Sequence, residues 1–225
     1  EILVHCFRAT CGWTEKLVGD DLNHLRKQEY KRSRQKRREI KRPAERPNTD
    51  LPEKVVQFFA DRGIPERFLK PAGVGFGNYW MPGCERGETR EAITFDYRRD
   101  GVLINRKYRE FGAKMFRQDK DAEKVFYGLD DIEGAPEIII VEGEMDKLAL
   151  AVAGYPNALS VPDGAPKEVR QGDIDPADDR KFEYLWNCKA YLDACDKIIL
   201  AVDNDAPGQA LAEELARRIG KHKCW

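Results

Sequence analysis

From Glu137 to Asp146 the chain reads Glu-Ile-Ile-Ile-Val-Glu-Gly-Glu-Met-Asp, and this stretch leaves it few folds. Ile138 to Val141 are apolar on both faces of an extended chain, which suits a strand buried in a parallel sheet, and the chain turns at Gly143. Met145, Leu148, Ala149 and Val152 then recur at i, i+3, i+4 and i+7, predicting a helix that ends near Gly154. The acids Glu142, Glu144 and Asp146 therefore stand at a strand's C-terminal end, where open α/β sheets place their ligands. The pattern returns at Lys197 to Val202, a second buried-strand run. It discharges into Asp203-Asn204-Asp205 before Ala206-Pro207-Gly208 opens another helix.

Residues i and i+2 of an extended chain share a face, so Asp203 and Asp205 are expected to point one way, as are Glu142 and Glu144. Unit charges about 4 Å apart at an effective dielectric near 20 repel by roughly 4 kcal/mol, so such a cluster needs a counter-charge. Carboxylates and water form an all-oxygen ligand set, which selects Mg²⁺ or Mn²⁺ over zinc. Either motif alone is also what a solvated strand end looks like. Two in succession, each running strand, acids, helix, favour a metal site. Glu-Gly-Glu-x-Asp and Asp-Asn-Asp-x-x-Gly, each after an aliphatic strand, resemble the two signature motifs of the Toprim domain of primases, topoisomerases and related nucleases. A haloacid-dehalogenase-type phosphotransferase also places Asp-x-Asp after a strand, but near the start of its domain and without the preceding acidic motif.

The 225 residues, 41% hydrophobic, suffice for one sizeable domain or two small ones. The net charge of −1 hides an asymmetry, with basic residues gathered in the first half and acids in the second. That suggests a basic surface for a polyanion and an acidic site for metal. No run of eighteen apolar residues occurs, so no membrane partner is expected. The chain starts at Glu1 without a targeting segment, which reads as a piece of a longer protein.

Cys6 and Cys11, followed by Gly12-Trp13, look like one knuckle of a zinc ribbon over residues 1–20, a half site supplying two of the four ligands of a tetrahedral Zn²⁺. Cys84, Cys188, Cys195 and Cys224 lack ligand spacing. Residues 21–50 are rich in Lys and Arg and read as a linker, solvated or in contact with phosphates. Residues 51–130 read as a small α+β subdomain. It begins with two short helical segments between Pro52 and Pro71. Short β runs follow at Tyr79-Trp80-Met81, Ala92 to Phe95 and Val102 to Ile104, with a hairpin turn at Asp100-Gly101. Arg106, Lys107, Arg109, Lys114 and Arg117 interleave with aromatics, a pattern that suits a surface holding single-stranded nucleic acid. Residues 131–225 carry both acidic motifs. The aromatic-rich insertion between Gly164 and Lys197 reads as a helix capping the sheet.

This order resembles the primase half of the phage-type primase-helicases, and within them the plant organellar Twinkle branch. The resemblance implies an α/β fold: a Rossmann-like parallel Toprim sheet with flanking helices, preceded by the α+β primase subdomain. It further implies that Asp203 and Asp205 hold Mg²⁺ (or Mn²⁺) with Glu142 and Asp146, that Glu142 is a general base, and that ribonucleoside triphosphates are joined into RNA primers on a single-stranded DNA template. A helicase domain in the same parent chain, a third acidic motif beyond Trp225 and residence in mitochondria or chloroplasts are implied too. The other reading is a non-catalytic, single-stranded DNA-binding tether for that helicase.

Overall fold

The computed structural model describes residues 2–5, 14–17, 40–47 and 49–225. Within residues 1–40, β1 (Ile2–His5) and β2 (Thr14–Leu17) pair antiparallel, Ile2 opposite Leu17. Cys6, Cys11 and most of the expected basic linker lie outside the described residues.

Residues 41–225 form the second unit. Its helix α1 (Glu53–Ala60) buries Val55 and Phe59, four apart on one face, and is followed by a 3₁₀ turn (Glu66–Phe68). Next comes an antiparallel sheet in the order β3 (Val74–Tyr79), β4 (Arg90–Arg99), β5 (Val102–Glu110), β6 (Phe116–Gln118). The first strand lies ahead of the run expected at Tyr79-Trp80-Met81, and its glycines explain why it was hard to read. A Cβ on Gly75 would fall 1.8 Å from Arg46 Nη1, so the bare backbone leaves room for a guanidinium that also donates to the Gly73 carbonyl at 2.6 Å. The β4–β5 hairpin turns at Asp100-Gly101, as expected. Both residues have positive φ, 54° and 73°, and both N–H groups donate to the Asp130 carboxylate, at 2.7 and 3.0 Å.

The parallel sheet has the order β8, β7, β9, with β7 (Glu137–Val141) central between β8 (Ala158–Ser160) and β9 (Lys197–Leu200). Helix α2 (Glu144–Val152) makes the β7–β8 crossover. The insertion forms two short helices, α3 (Glu183–Asn187) and α4 (Lys189–Ala194), where one was expected; Tyr184, Leu185 and Leu192 are buried. Helix α5 (Ala206–Ile219) closes the second strand-helix unit. One apolar core runs from Val55 and Phe59 through Ile93 and Tyr97 to Ile140, Leu148 and Leu211, so the antiparallel and parallel sheets share an interior. The architecture is the expected α/β class: a parallel sheet with flanking helices, preceded by a smaller α+β part.

Candidate active site

Strands β7 and β9 are hydrogen-bonded neighbours running the same way, so their C-terminal ends deliver both acidic segments to one place. Glu142 is the first residue beyond β7, and its Oε1 accepts the Asp203 N–H at 2.9 Å. Asp205 is the N-cap of α5 and accepts the Gly208 N–H at 2.8 Å. Gly208 is where these groups meet: a Cβ there would lie 2.1 Å from the Asp203 carbonyl oxygen and 2.7 Å from Glu142 Oε1. Asp146 sits in the first turn of α2.

Burial raises the Glu142 carboxyl above its ordinary range, and the charges of Asp203, Asp205 and Asp146 push the same way against the bond from the Asp203 N–H. Asp146 is raised too, by burial and then by the Asp203 charge. Glu142 thus lies in the field of the other three acids and Asp146 in that of Asp203, while Lys107 pairs with Glu144 and Lys147 with Asp131. Among the described residues, however, no three His, Cys, Asp or Glu side chains are gathered closely enough to hold a metal ion. Nor do the acids share a face through strand alternation, since β9 ends at Leu200 and β7 at Val141. Asp205 caps α5 through Oδ1. Glu144 begins α2 and turns to the antiparallel sheet, 5% exposed, accepting from the Tyr97 hydroxyl and from Lys107 Nζ at 2.7 Å.

Four of the five basic residues are divided between the faces of that sheet, and Lys114 lies in the loop between β5 and β6. Arg106 is 5% exposed; its Nε donates to Asp96 at 2.6 Å and its Nη2 to the Ala44 carbonyl at 3.2 Å, so it is not a surface group. Lys107 faces Glu144. Arg109 is half-buried over the Phe58 and Phe116 rings, at 5.6 and 5.3 Å, and Lys114 is exposed. Arg117 lies 3.5 Å over the Tyr108 ring and donates to the Trp80 carbonyl at 2.7 Å. Opposed pairs Lys107–Gln118 and Arg109–Phe116 belong to one face, Tyr108–Arg117 to the other. Trp80 and Phe116 remain 50% and 41% exposed.

Two groups owe their roles to distant partners, with little or no local signal in the sequence. Tyr97 sits in an apolar strand and reads as core, yet its hydroxyl holds Glu144. Arg218, fully buried, bonds Asp179 at 2.6 Å and also pairs with Glu214, which ties the insertion to α5; only the Glu214–Arg218 spacing of four hinted at it. Of the four cysteines without ligand spacing, Cys188 and Cys195 are buried and Cys84 and Cys224 half-buried, the Cys188 thiol pushed up to about 12 by burial.

Residues 136–225 match the Toprim domain family. The Primase homolog protein of Arabidopsis thaliana is 46% identical over 176 residues, 78% of this chain and 50% of that protein. The Twinkle homolog protein, chloroplastic/mitochondrial, of the same plant is 52% identical over 176 residues, 78% of this chain and 24% of that protein. The chain therefore spans half or less of the curated relatives it matches. Among solved structures, the primase fragment of the bacteriophage T7 primase-helicase protein superposes with a TM-score of 0.56 at 20% identity, covering 82% of this chain and 72% of that one. The Aquifex aeolicus primase, zinc-binding and RNA polymerase domains, also gives 0.56, at 13% identity, covering 77% and 48%. Those two likenesses give the fold, and the acid-bearing β7 and β9 both lie inside the matched span. Residues 136–225 are thus a Toprim domain, in a chain related to the plant Primase homolog and Twinkle homolog proteins.

Proposed function

We propose that this chain is the primase part of an organellar primase-helicase and joins ribonucleoside triphosphates into RNA primers on single-stranded DNA. The observation that carries the reading is the Glu142–Asp203 bond at the ends of β7 and β9, with Asp146 and Asp205 in the same field. The donor chemistry fits Mg²⁺ or Mn²⁺. Mg²⁺ keeps several of its waters and is held through one or two carboxylates, so it does not require three acids drawn together. Asp203 and Asp205 would hold the ion, with Glu142 and Asp146 completing the shell. When bound, such an ion offsets the charge of the triphosphate and makes the attacking hydroxyl more acidic.

The chain's own residues do the rest. Glu142, its carboxyl raised by burial and bonded to the Asp203 N–H, is poised to take the proton of the primer 3′-hydroxyl. Arg109 and Lys114, with Arg117 on the reverse face, would contact template phosphates, and the exposed Trp80 and Phe116 offer rings for bases. Lys107 and Arg106 act from inside, through Glu144 and Asp96. Zinc at Cys6 and Cys11, the helicase domain, and residence in mitochondria or chloroplasts belong to the longer parent, and the relative named chloroplastic/mitochondrial supports that residence.

The test is Glu142→Gln in the full-length protein. Template-directed ribonucleotide joining should fall by about a hundredfold, the lower end for losing a general base, while single-stranded DNA affinity holds. Joining at the wild-type rate would refute the catalytic role. No joining by the unsubstituted protein would make the chain a DNA-binding tether.

A further inference from the structure

Glu144 is a carboxylate removed from water two residues after Glu142, and both its donors converge on one oxygen, Oε1. Lys107 Nζ arrives from β5 on a flexible four-carbon stem. The Tyr97 hydroxyl arrives from β4 on a ring with no freedom to swing. That ring is fully buried, its centroid 5.3 Å from the Tyr127 ring, and the Tyr127 hydroxyl is fixed in turn by the Ala72 carbonyl at 2.6 Å. Glu144 is also the first residue of α2, after Gly143 in extended conformation at φ −133°, ψ 158°, and the Gly143 carbonyl accepts the Lys147 N–H at 3.2 Å. A pinned Glu144 leaves the Gly143 turn one shape and so fixes the direction in which Glu142 leaves β7, toward the Asp203 N–H at 2.9 Å.

We infer that Tyr97 is a positioning residue: through Glu144 it aims Glu142 at the Asp203 segment, so the antiparallel sheet sets the geometry of the acids on the parallel one. The placement stands on the contacts alone; its effect on cation binding rests on the function proposed above. A tyrosine that only fastened the core would lower stability without changing where Glu142 points.

Tyr97→Phe deletes the hydroxyl and keeps the ring. Amide spectra of the metal-free chain should then show the Asp203 proton moving upfield as its carboxylate acceptor loosens. The Val161 amide, bonded to the Val141 carbonyl at 3.1 Å in the same sheet, should stay put. Glu144→Ala breaks the same link from its other end and should move Asp203 in the same direction, with no further movement in the double variant. An unmoved Asp203 amide, equal movement at Val161, or additive shifts in the double variant would overturn the inference. Mn²⁺ titration is the second arm: Tyr97→Phe should weaken binding by about tenfold, the scale on which partners of ligands tune metal affinity. If Asp203→Asn with Asp205→Asn left Mn²⁺ binding intact, the acidic-site reading would fail, and the amide result would still judge Tyr97.

Discussion

Asp205 both caps α5 and adds its charge to the surroundings of Glu142, and asparagine separates the two roles because it caps as well as aspartate. Asp203→Asn with Asp205→Asn should therefore abolish Mg²⁺ binding by calorimetry yet raise the melting temperature of the metal-free protein, since it removes repulsion without uncapping the helix. The pH dependence follows the same groups. Glu142 and Asp146 carry raised values, so the folded chain holds their protons more tightly than the unfolded chain, whose values are near 4.5 and 3.8. Without metal their contribution to stability is greatest below those ordinary values and is lost as pH rises through the raised ones. The double variant should flatten that loss in denaturant melts taken across pH 4 to 7. Gly208 is the least replaceable position: a methyl group 2.1 Å from the Asp203 carbonyl cannot be housed, and Gly208→Ala should destabilise by about 3 kcal/mol in urea, the upper end for overpacking.

Strand-helix units were the most legible elements, because β7–α2 and β9–α5 are written in local periodicity, four apolar residues and then a 3.6-residue stripe. Whatever depended on distant partners was not legible. Glu144 is directed by Lys107, 37 residues away, and Arg106 is drawn inward by Asp96 across the hairpin. Strand β3 was hidden by glycines that carry little strand signal but admit Arg46. The insertion shows how such partners decide an element. Its loop is held to α5 by Arg218, Asp179 and Glu214, all buried, with the Asp179 carboxyl lowered by its bonds from Arg218 and Trp186 despite burial, which raises it. Arg218→Ala would leave the two buried carboxylates only the longer contacts from Arg170 to Asp179 and from Arg217 to Glu214, at 3.9 and 3.5 Å, and equilibrium unfolding should register a loss of about 3 kcal/mol.

For the whole molecule, the division of basic residues between two faces of one sheet decides how DNA binding should be probed. Arg106 is the wrong residue to reverse, because its loss would take the nearest of three arginines from the buried Asp96, leaving Arg46 and Arg98 at 3.4 Å, and confuse folding with binding. Arg109→Glu with Lys114→Glu keeps those internal pairs. Each phosphate contact contributes a slope of about −0.7 to a plot of log affinity against log salt for single strands, so the pair should flatten it by about one to two units. An unchanged slope would place the template elsewhere. A different property follows from how the parallel sheet is bordered. Tyr127 exchanges both backbone bonds with Ser160 along the free side of β8, each 3.0 Å, while Trp225 donates to Ile198 and accepts from Leu200 along the free side of β9, at 3.0 and 2.9 Å. Among the described residues, neither rim offers a second molecule the row of vacant amides through which sheet edges pair.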